Sequence, residues 1–460
     1  MATNIRLVSS YDIRCGLHTF TRDLATALKN LTGEVNSVSV AANDPRPLKH
    51  YAPVDLSFDR FNPKSWDRAT GQMIIRAFER STPTTFALQH EYGLDPGVIF
   101  KENGTKEIVT CMGDNYVKMA RKLHQNPEFN VFVYLHTVLG ANNANEHQVK
   151  TLQQLAENSD GLIVTTSSAK DILCSAPYNI PEEKLEHIDH GIRENKADRL
   201  EAKRELGAEG IFLATQLGLR SPDKGVQYSV EGTRQFVTTK VSPEERKQYC
   251  TLIAGEVHPE FKKAKGGEDY RKYMELMSSV LNKDSGSLEK KLNYQITEDL
   301  SKADFINNDV IIYDNFVSEE LLLTLYGATN TMLLPYLNMD QISSGILADT
   351  IGSGRIAIST KFMYAQEMLD LKNLSKGLKK TSRGICIDYG RKSSKQICDA
   401  LTILTRNKAE RSRMEEMINR RGSSMSWDSC AKHFIDHDTR IRNAKQNKSG
   451  RGVEFKGLRN

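Results

Sequence analysis

The chain has 460 residues, 39% hydrophobic and 26% charged, which excludes a wholly disordered chain and exceeds what one ordinary core encloses, so two domains, or one large α/β domain, are expected. Its 63 Lys and Arg against 58 Asp and Glu give a net charge of +5. That excess is local: Thr439–Asn460 holds seven cations and one acid, leaving residues 1–438 at −1, which argues against a nucleic-acid surface spread over the body of the protein.

From the N-terminus, Ile5–Val8 reads as a strand, Gly16 as a turn, and Phe20, Leu24, Leu28 and Leu31 as the apolar stripe of a helix. No basic stretch leading into an apolar run precedes them, so a secretory signal is not expected and a cytoplasmic location is. Further strands are predicted at Val38–Ala41, Thr85–Gln89, Val131–Leu135 and Gly161–Thr165, with helices over Asn145–Asn158 and Ser168–Cys174. A charged link, Ile192–Leu206, follows. The rhythm then restarts with Ile211–Gln216, a helix from Val226, and strands at Tyr249–Ala254, Val310–Tyr313, Thr331–Pro335, Ile356–Ser359 and Gly384–Ile387. The polar stretch Glu256–Asn308 reads as two exposed helices around a mobile loop. The most apolar long window, Leu321–Leu337, is broken by Gly327, Asn330, Thr331 and Pro335 and is too short to span a bilayer. Seven scattered cysteines form no C-x-x-C pair, so neither a zinc site nor a disulfide framework is indicated.

Strands alternating with helices imply βαβ units and mostly parallel sheets. The expected architecture is α/β, with two facing Rossmann-like domains and a cleft between them. Their expected spans are 1–195 and 196–426, followed by a terminal helix over 427–440 that crosses back to the N-terminal domain and a basic, disordered tail over 441–460. Such sheets bind ligands outside the C-terminal ends of their strands, so the loops there are the candidates for chemistry.

Four loops qualify. Arg14–Thr19 places Gly16 where the backbone can approach a ligand, with a helix N-terminus behind it that favours an anion; a plain βα turn has the same composition. Gly218–Gly225 carries Arg220 and Lys224 four residues apart, able to hold a diphosphate by a fork and a point charge, or simply to be solvated. Pro335–Gly345 ends in Ser343, Ser344 and Gly345, which cap a helix and present amides suited to phosphate oxygens, while Asp349 lies a turn further in and within reach of ribose hydroxyls. Gln89–Gly93 and His136–Val138 offer His90, Glu91 and His136 at strand ends; Leu94 rules out a zincin motif. Asp436-His437-Asp438 has a metal-nucleotide spacing but sits on a helix rather than after a strand, so it is set aside and no metal site is expected. The tail has one aromatic, Phe455, and no stacking pattern; weak contact with an anionic surface is the most it suggests, and nucleic acid is not expected as a partner.

Taken together these stretches resemble the GT-B retaining glycosyltransferases, carbohydrate-active family four (glycosyltransferase group 1), and within it a bacterial-type subgroup. The matching segments are Arg14–Leu24, Leu88–Gly93, Leu135–Val138, His187–Ile192, Gly218–Arg220 with Lys224-Gly225, Ala254–Pro259, and Pro335–Gly345 continuing to Tyr364-Ala365. They follow the family's order over roughly residues 1–440. The resemblance implies a GDP- or UDP-sugar donor held mainly by the C-terminal half, and no cofactor. Arg220 and Lys224 match the family's diphosphate-binding cations, Gly16 the glycine that approaches the donor, and His136 the histidine near the donor sugar. The family's Glu-x7-Glu element falls on Gln341 and Asp349, a departure at both positions. Lys361 stands where the family has Pro, and nothing in the sequence accounts for it. Acceptor or sugar contacts are expected from His18, Thr19, His90 and Glu91.

What the resemblance implies as reaction is metal-independent, retaining hexosyl transfer to a carbohydrate or other hydroxyl acceptor. The departing diphosphate would be stabilised by fixed cations and a helix N-terminus. A glycoside phosphorylase or sugar-nucleotide epimerase on the same scaffold, and a non-catalytic sugar-nucleotide or RNA-binding protein, are the alternatives.

Overall fold

A computed structural model describes residues 3–11, 16–33, 37–43, 54–80, 82–100, 106–108, 112–193, 195, 197–283 and 291–454. The chain forms two compact units, one of residues 1–191 with the segment from Trp427 onward, the other Ile192–Ser426. The junction therefore lies at Gly191–Ile192 and not after residue 195. Ile192 is held in the second unit by its N–H, which donates to Met425 O at 2.9 Å.

The first unit is built on seven parallel strands: β1 (Asn4–Ser9), β2 (Ser37–Ala42), β3 (Val54–Ser57), β4 (Thr84–His90), β5 (Phe129–Leu135), β6 (Gly161–Val164) and β7 (Leu185–His187). Their spatial order is β3-β2-β1-β4-β5-β6-β7, so the direction of winding reverses between β1 and β4. Every residue of β4 and β5 is buried, as expected of strands covered on both faces, which read as continuous apolar runs instead of alternating ones. The helix Gly16–Thr32 buries Phe20, Leu24 and Leu28, whereas Leu31 at the end of the predicted stripe is 46% exposed. Asn145 and Gln148 form a reciprocal cap at the start of Glu146–Glu157.

The C-terminal helix corrects the sequence reading. It spans Trp427–Glu454, so the segment from residue 441 expected to be disordered is helical as far as 454. Residues 455–460 lie outside the described set. Phe434, Asp438, Ile441 and Lys445 recur every three or four residues and share one face. Phe434 joins the core with Phe132 and Tyr134. Asp438 accepts from Thr85 Oγ1 and Asn130 Nδ2, each at 2.7 Å, and Lys445 donates to Phe129 O and Asp160 at 2.7 Å. Charges that looked like a solvated run in one dimension meet acids of the first sheet in three. His437 and Asp438 are buried in that packing, consistent with setting aside the Asp-His-Asp spacing.

The second unit carries β8 (Phe212–Leu217), β9 (Tyr249–Ala254), β10 (Tyr294–Thr297), β11 (Val310–Tyr313), β12 (Thr331–Leu334), β13 (Ile356–Thr360), β14 (Lys379–Lys380) and β15 (Gly384–Ile387). Their order is β10-β11-β9-β8-β12-β13-β15-β14, parallel throughout except for β14 against β15. Winding reverses here between β8 and β12. The polar stretch after residue 256 holds two helices, Pro259–Lys263 and Glu268–Leu281; residues 284–290, the expected loop, lie outside the described set. It also holds β10, an edge strand the sequence reading missed, because its partly exposed side chains give no apolar run. Among the described residues no helix is long and apolar enough to cross a membrane.

Candidate functional site

In the second unit the loops following β8 and β12 leave the sheet side by side, at the position where an open α/β sheet splays its connections apart. Gly225 is what lets them touch. Its φ is +64°, and a Cβ there would lie 2.0 Å from Pro335 O. Leu337 N–H donates to Asp223 O at 2.8 Å, and Lys224 Nζ stands 4.2 Å from the centre of the Tyr336 ring, a cation–π contact. Tyr336 is buried and hydrogen-bonds Ser344, and burial pushes its hydroxyl pKa up. Ser344 Oγ accepts from Leu347 N–H at 3.3 Å, capping the helix Gly345–Gly352. Lys224 is thus linked to the N-terminus of that helix through the Tyr336 ring, which bonds the capping Ser344.

Arg220 is held differently. Its Nε donates to Gly255 O at 2.7 Å, and its Nη2 pairs with Asp314, just past β11. The arginine is 4% exposed. The two cations expected to act as a pair therefore rest on different neighbours: Arg220 on the β9 and β11 side, Lys224 on the β12 side. Gln341 donates from Nε2 to Ser343 O at 2.7 Å, and its carbonyl accepts from Tyr364 N–H at 3.0 Å. Asp349, eight residues on, accepts from Arg193 N–H at 3.3 Å. Both side chains at the Glu-x7-Glu positions thus brace loops of their own unit. Lys361 acquires a clear role: its Nζ donates to Ser375 O and Gly377 O at 2.8 Å and to Asp388 at 2.6 Å, tying a loop down as no proline could.

In the first unit the matching position is the C-terminal end of β1, β4 and β5. Gly16 is the exposed first residue of its helix, with nothing within 4 Å of where a Cβ would stand; Arg14 and Cys15 lie outside the described residues. His18 and Thr19 occupy the first turn, half-buried, with the His18 ring edge-on to Tyr11 at 4.9 Å. Phe20 beside them packs edge-on against His136 at 4.7 Å and His190 at 5.2 Å. His136 Nε2 meets Gln89 Oε1 at 2.7 Å. Burial first, then His190 and His90, push its pKa down to about 3, so it is a neutral imidazole at physiological pH. His90 is fully buried at the end of β4, between Tyr92 and Tyr116, with neither ring nitrogen hydrogen-bonded. Burial lowers its pKa to about 4. Glu91 accepts from Thr137 Oγ1 at 2.6 Å and from Tyr92 N–H at 3.0 Å; burial raises its carboxyl pKa against those two bonds.

Sequence reasoning singled out the residues that follow strands but not those they rest on. Gln89, Thr137, His190, Asp314 and Tyr336 were missed as site residues, although each sits within a few positions of a strand end, which is the one signal that could have found them.

No protein-family model matches the chain, and no curated protein matches it. Solved structures do. HepE of Anabaena in complex with UDP aligns at a TM-score of 0.63 and 11% identity, over 95% of this chain and 99% of that one. The sucrose-phosphate synthase of Thermosynechococcus elongatus aligns at 0.65 and 14%, over 96% and 100%. A glycosyltransferase of Rickettsia africae aligns at 0.65 and 10%, over 95% and 98%. The chain shares with them the GT-B fold, two Rossmann-like units with parallel sheets, over nearly its whole length.

Proposed function

We propose that the protein is a nucleotide-sugar-dependent glycosyltransferase that moves a hexosyl group to a hydroxyl acceptor with retention. The observation that carries this reading is the meeting of the loops after β8 and β12, where Lys224, the Tyr336 ring and the capped N-terminus of Gly345–Gly352 converge. That is an anion site of the kind helix ends and fixed cations make. HepE, solved with UDP and with UDP-glucose, favours UDP-glucose over GDP-mannose as the donor type within the reading.

In this mechanism Lys224 and the N–H groups of Arg220 not engaged by Gly255 and Asp314 hold the diphosphate. Ser343, Ser344 and Gly345 supply further contacts, Gln341 binds sugar hydroxyls, Asp349 binds ribose, and Gly16 admits the donor closely. The bond from the anomeric carbon to the phosphate oxygen breaks with its electron pair going to the phosphate. The acceptor oxygen bonds the same carbon on the same face, and its proton passes to the leaving phosphate. Neutral His136 can hydrogen-bond the donor sugar without adding charge, while His18, Thr19 and Glu91 orient the acceptor; His90, expected to join them, is fully buried and out of an acceptor's reach. Protein cations neutralise the leaving group, so EDTA leaves the rate unchanged.

The test is thermal shift with UDP, GDP and ADP, followed by turnover in Lys224→Ala. A nucleotide at a hundred times its Kd stabilises by about 2.7 kcal/mol, and the variant is expected to lose both this shift and transfer. Full turnover in Lys224→Ala, or a rate that collapses in EDTA, overturns the reading. One observation favours a second reading, a sugar-nucleotide binder without turnover: Gln341 and Asp349 are already engaged within the protein. Donor binding with no nucleotide release over a panel of acceptors would select it.

A further inference from the structure

The C-terminal edge of the second sheet carries another feature, one and two strands beyond the point where winding reverses. A cavity of about 550 Å³ opens past β13 and β15, within the size range of small-molecule sites. Lys361 and Asp388, each the first residue after its strand, form its inner wall. They are spent on one another and on the loop Ser375–Gly377: Lys361 donates to Asp388 at 2.6 Å, and Asp388 also accepts from Gly377 N–H at 2.8 Å and Gln396 Nε2 at 3.1 Å. This wall is internally hydrogen-bonded and close to neutral.

The remaining charge is not balanced. Lys376, Arg391 and Lys392 line the same cavity, all three are exposed, and none has an acidic partner among the described residues. Three uncompensated cations around one concavity focus a positive potential into it. Two large side chains stand at its rim where solvation alone would not put them, Tyr389 at 61% exposure and Leu374 at 64%. An aromatic face and an aliphatic side chain beside cations fit a ligand with a ring and a phosphate, in place of a bare ion or a long polyanion.

Met339 also lines the cavity. Its carbonyl accepts from Met363 N–H at 3.0 Å, and two residues further along the same loop Gln341 O accepts from Tyr364 N–H at 3.0 Å. An occupant would therefore touch the middle of the loop after β12, and Lys224 is not among the residues that line the cavity.

We infer that this cavity is a second ligand site, taking a phosphomonoester of a small ring compound through Lys376, Arg391 and Lys392, with the ring against Tyr389. The inference stands apart from the proposed donor site, and either can fail without the other. Sugar phosphates and nucleoside monophosphates share the chemistry, so the experiment carries both. Isothermal titration of the full-length protein is run with inorganic phosphate, glucose 6-phosphate and UMP. At least one organic phosphate is expected to bind saturably and more tightly than inorganic phosphate. The double variant Arg391→Ala/Lys392→Ala should weaken it at least about tenfold with an unchanged melting temperature, because both side chains are exposed. Tyr389→Ala should weaken the organic ligand but not inorganic phosphate, and Lys224→Ala should leave unchanged the binding that the double variant weakens. Absence of saturable binding by the unaltered protein to all three probes overturns the inference. So does binding that Lys224→Ala abolishes and the double variant retains, since the phosphate would then occupy the proposed donor site.

Discussion

His90 and His136 are histidines that the fold keeps neutral. In the unfolded chain each takes up a proton near pH 6.5; in the folded chain burial delays this to about 4 for His90 and about 3 for His136. Between those values the unfolded state binds more protons, so stability falls as pH falls. It is fully present above about pH 6.5, and His90 alone should withdraw roughly 3 kcal/mol by pH 4, at 1.36 kcal/mol per pKa unit. Urea melts across that window should show the decline, and His90→Gln should flatten it; an unchanged slope would count against a neutral buried His90. The two cations of the second unit also differ as probes. Lys224 is half-buried and can be truncated without harm to the fold, whereas Arg220→Ala would leave Asp314 and Gly255 O without their partner. Both cations were legible in the sequence because they follow a strand. Their partners were not, since Asp314 lies 94 residues from Arg220; likewise Gln89, the partner of His136, lies 47 residues from it.

At the scale of elements, glycines decide which loops can meet. Gly225 combines a left-handed φ of +64° with a 2.0 Å approach to Pro335 O, and Gly255 a φ of +139° with 2.2 Å to Gly218 O. Gly225→Ala is therefore expected to lose more than about 1–2 kcal/mol, the cost of the backbone conformation alone, and to part Lys224 from Tyr336. Denaturant melts together with UDP thermal shifts would record both effects. Gly16→Ala is the contrast: with open space around it, it should shift stability by less than about 0.5 kcal/mol, and a larger loss would mean that the turn is tighter than its surroundings suggest. The inner strands of both sheets followed from short apolar, β-branched runs. The four edge strands, β3, β7, β10 and β14, did not, because an edge exposed to water needs no apolar signature.

Across the whole molecule, the basic C-terminus changes meaning. Arg440 pairs with Glu186, Arg442 with Asp438, and Lys445 with Asp160, so part of the charge that looked superfluous completes the first unit. Truncation after residue 438 would strip Lys445 from Asp160, whose side chain is 7% exposed, and remove Arg442 from Thr85. Leaving one partner of a buried pair costs about 3–5 kcal/mol, so the truncated chain should unfold at distinctly lower urea concentration. Unchanged stability would mean that this stretch of helix adds nothing to the first unit.

The alternation of apolar runs and helical stripes, the restart of that rhythm after residue 208, and the polar loops at strand ends were all determined by the sequence alone, because each is a local pattern with its own period. Tertiary structure decided the rest: that winding reverses at β1/β4 and β8/β12, that Arg220 rests on Asp314 while Lys224 rests on Tyr336, that Lys361 ties a loop to Asp388, and that the basic tail is largely a docked helix. Each of these depends on a partner dozens to hundreds of residues away. Nothing in local spacing records such a partner, and only the packing of sheets and helices brings it within hydrogen-bonding distance.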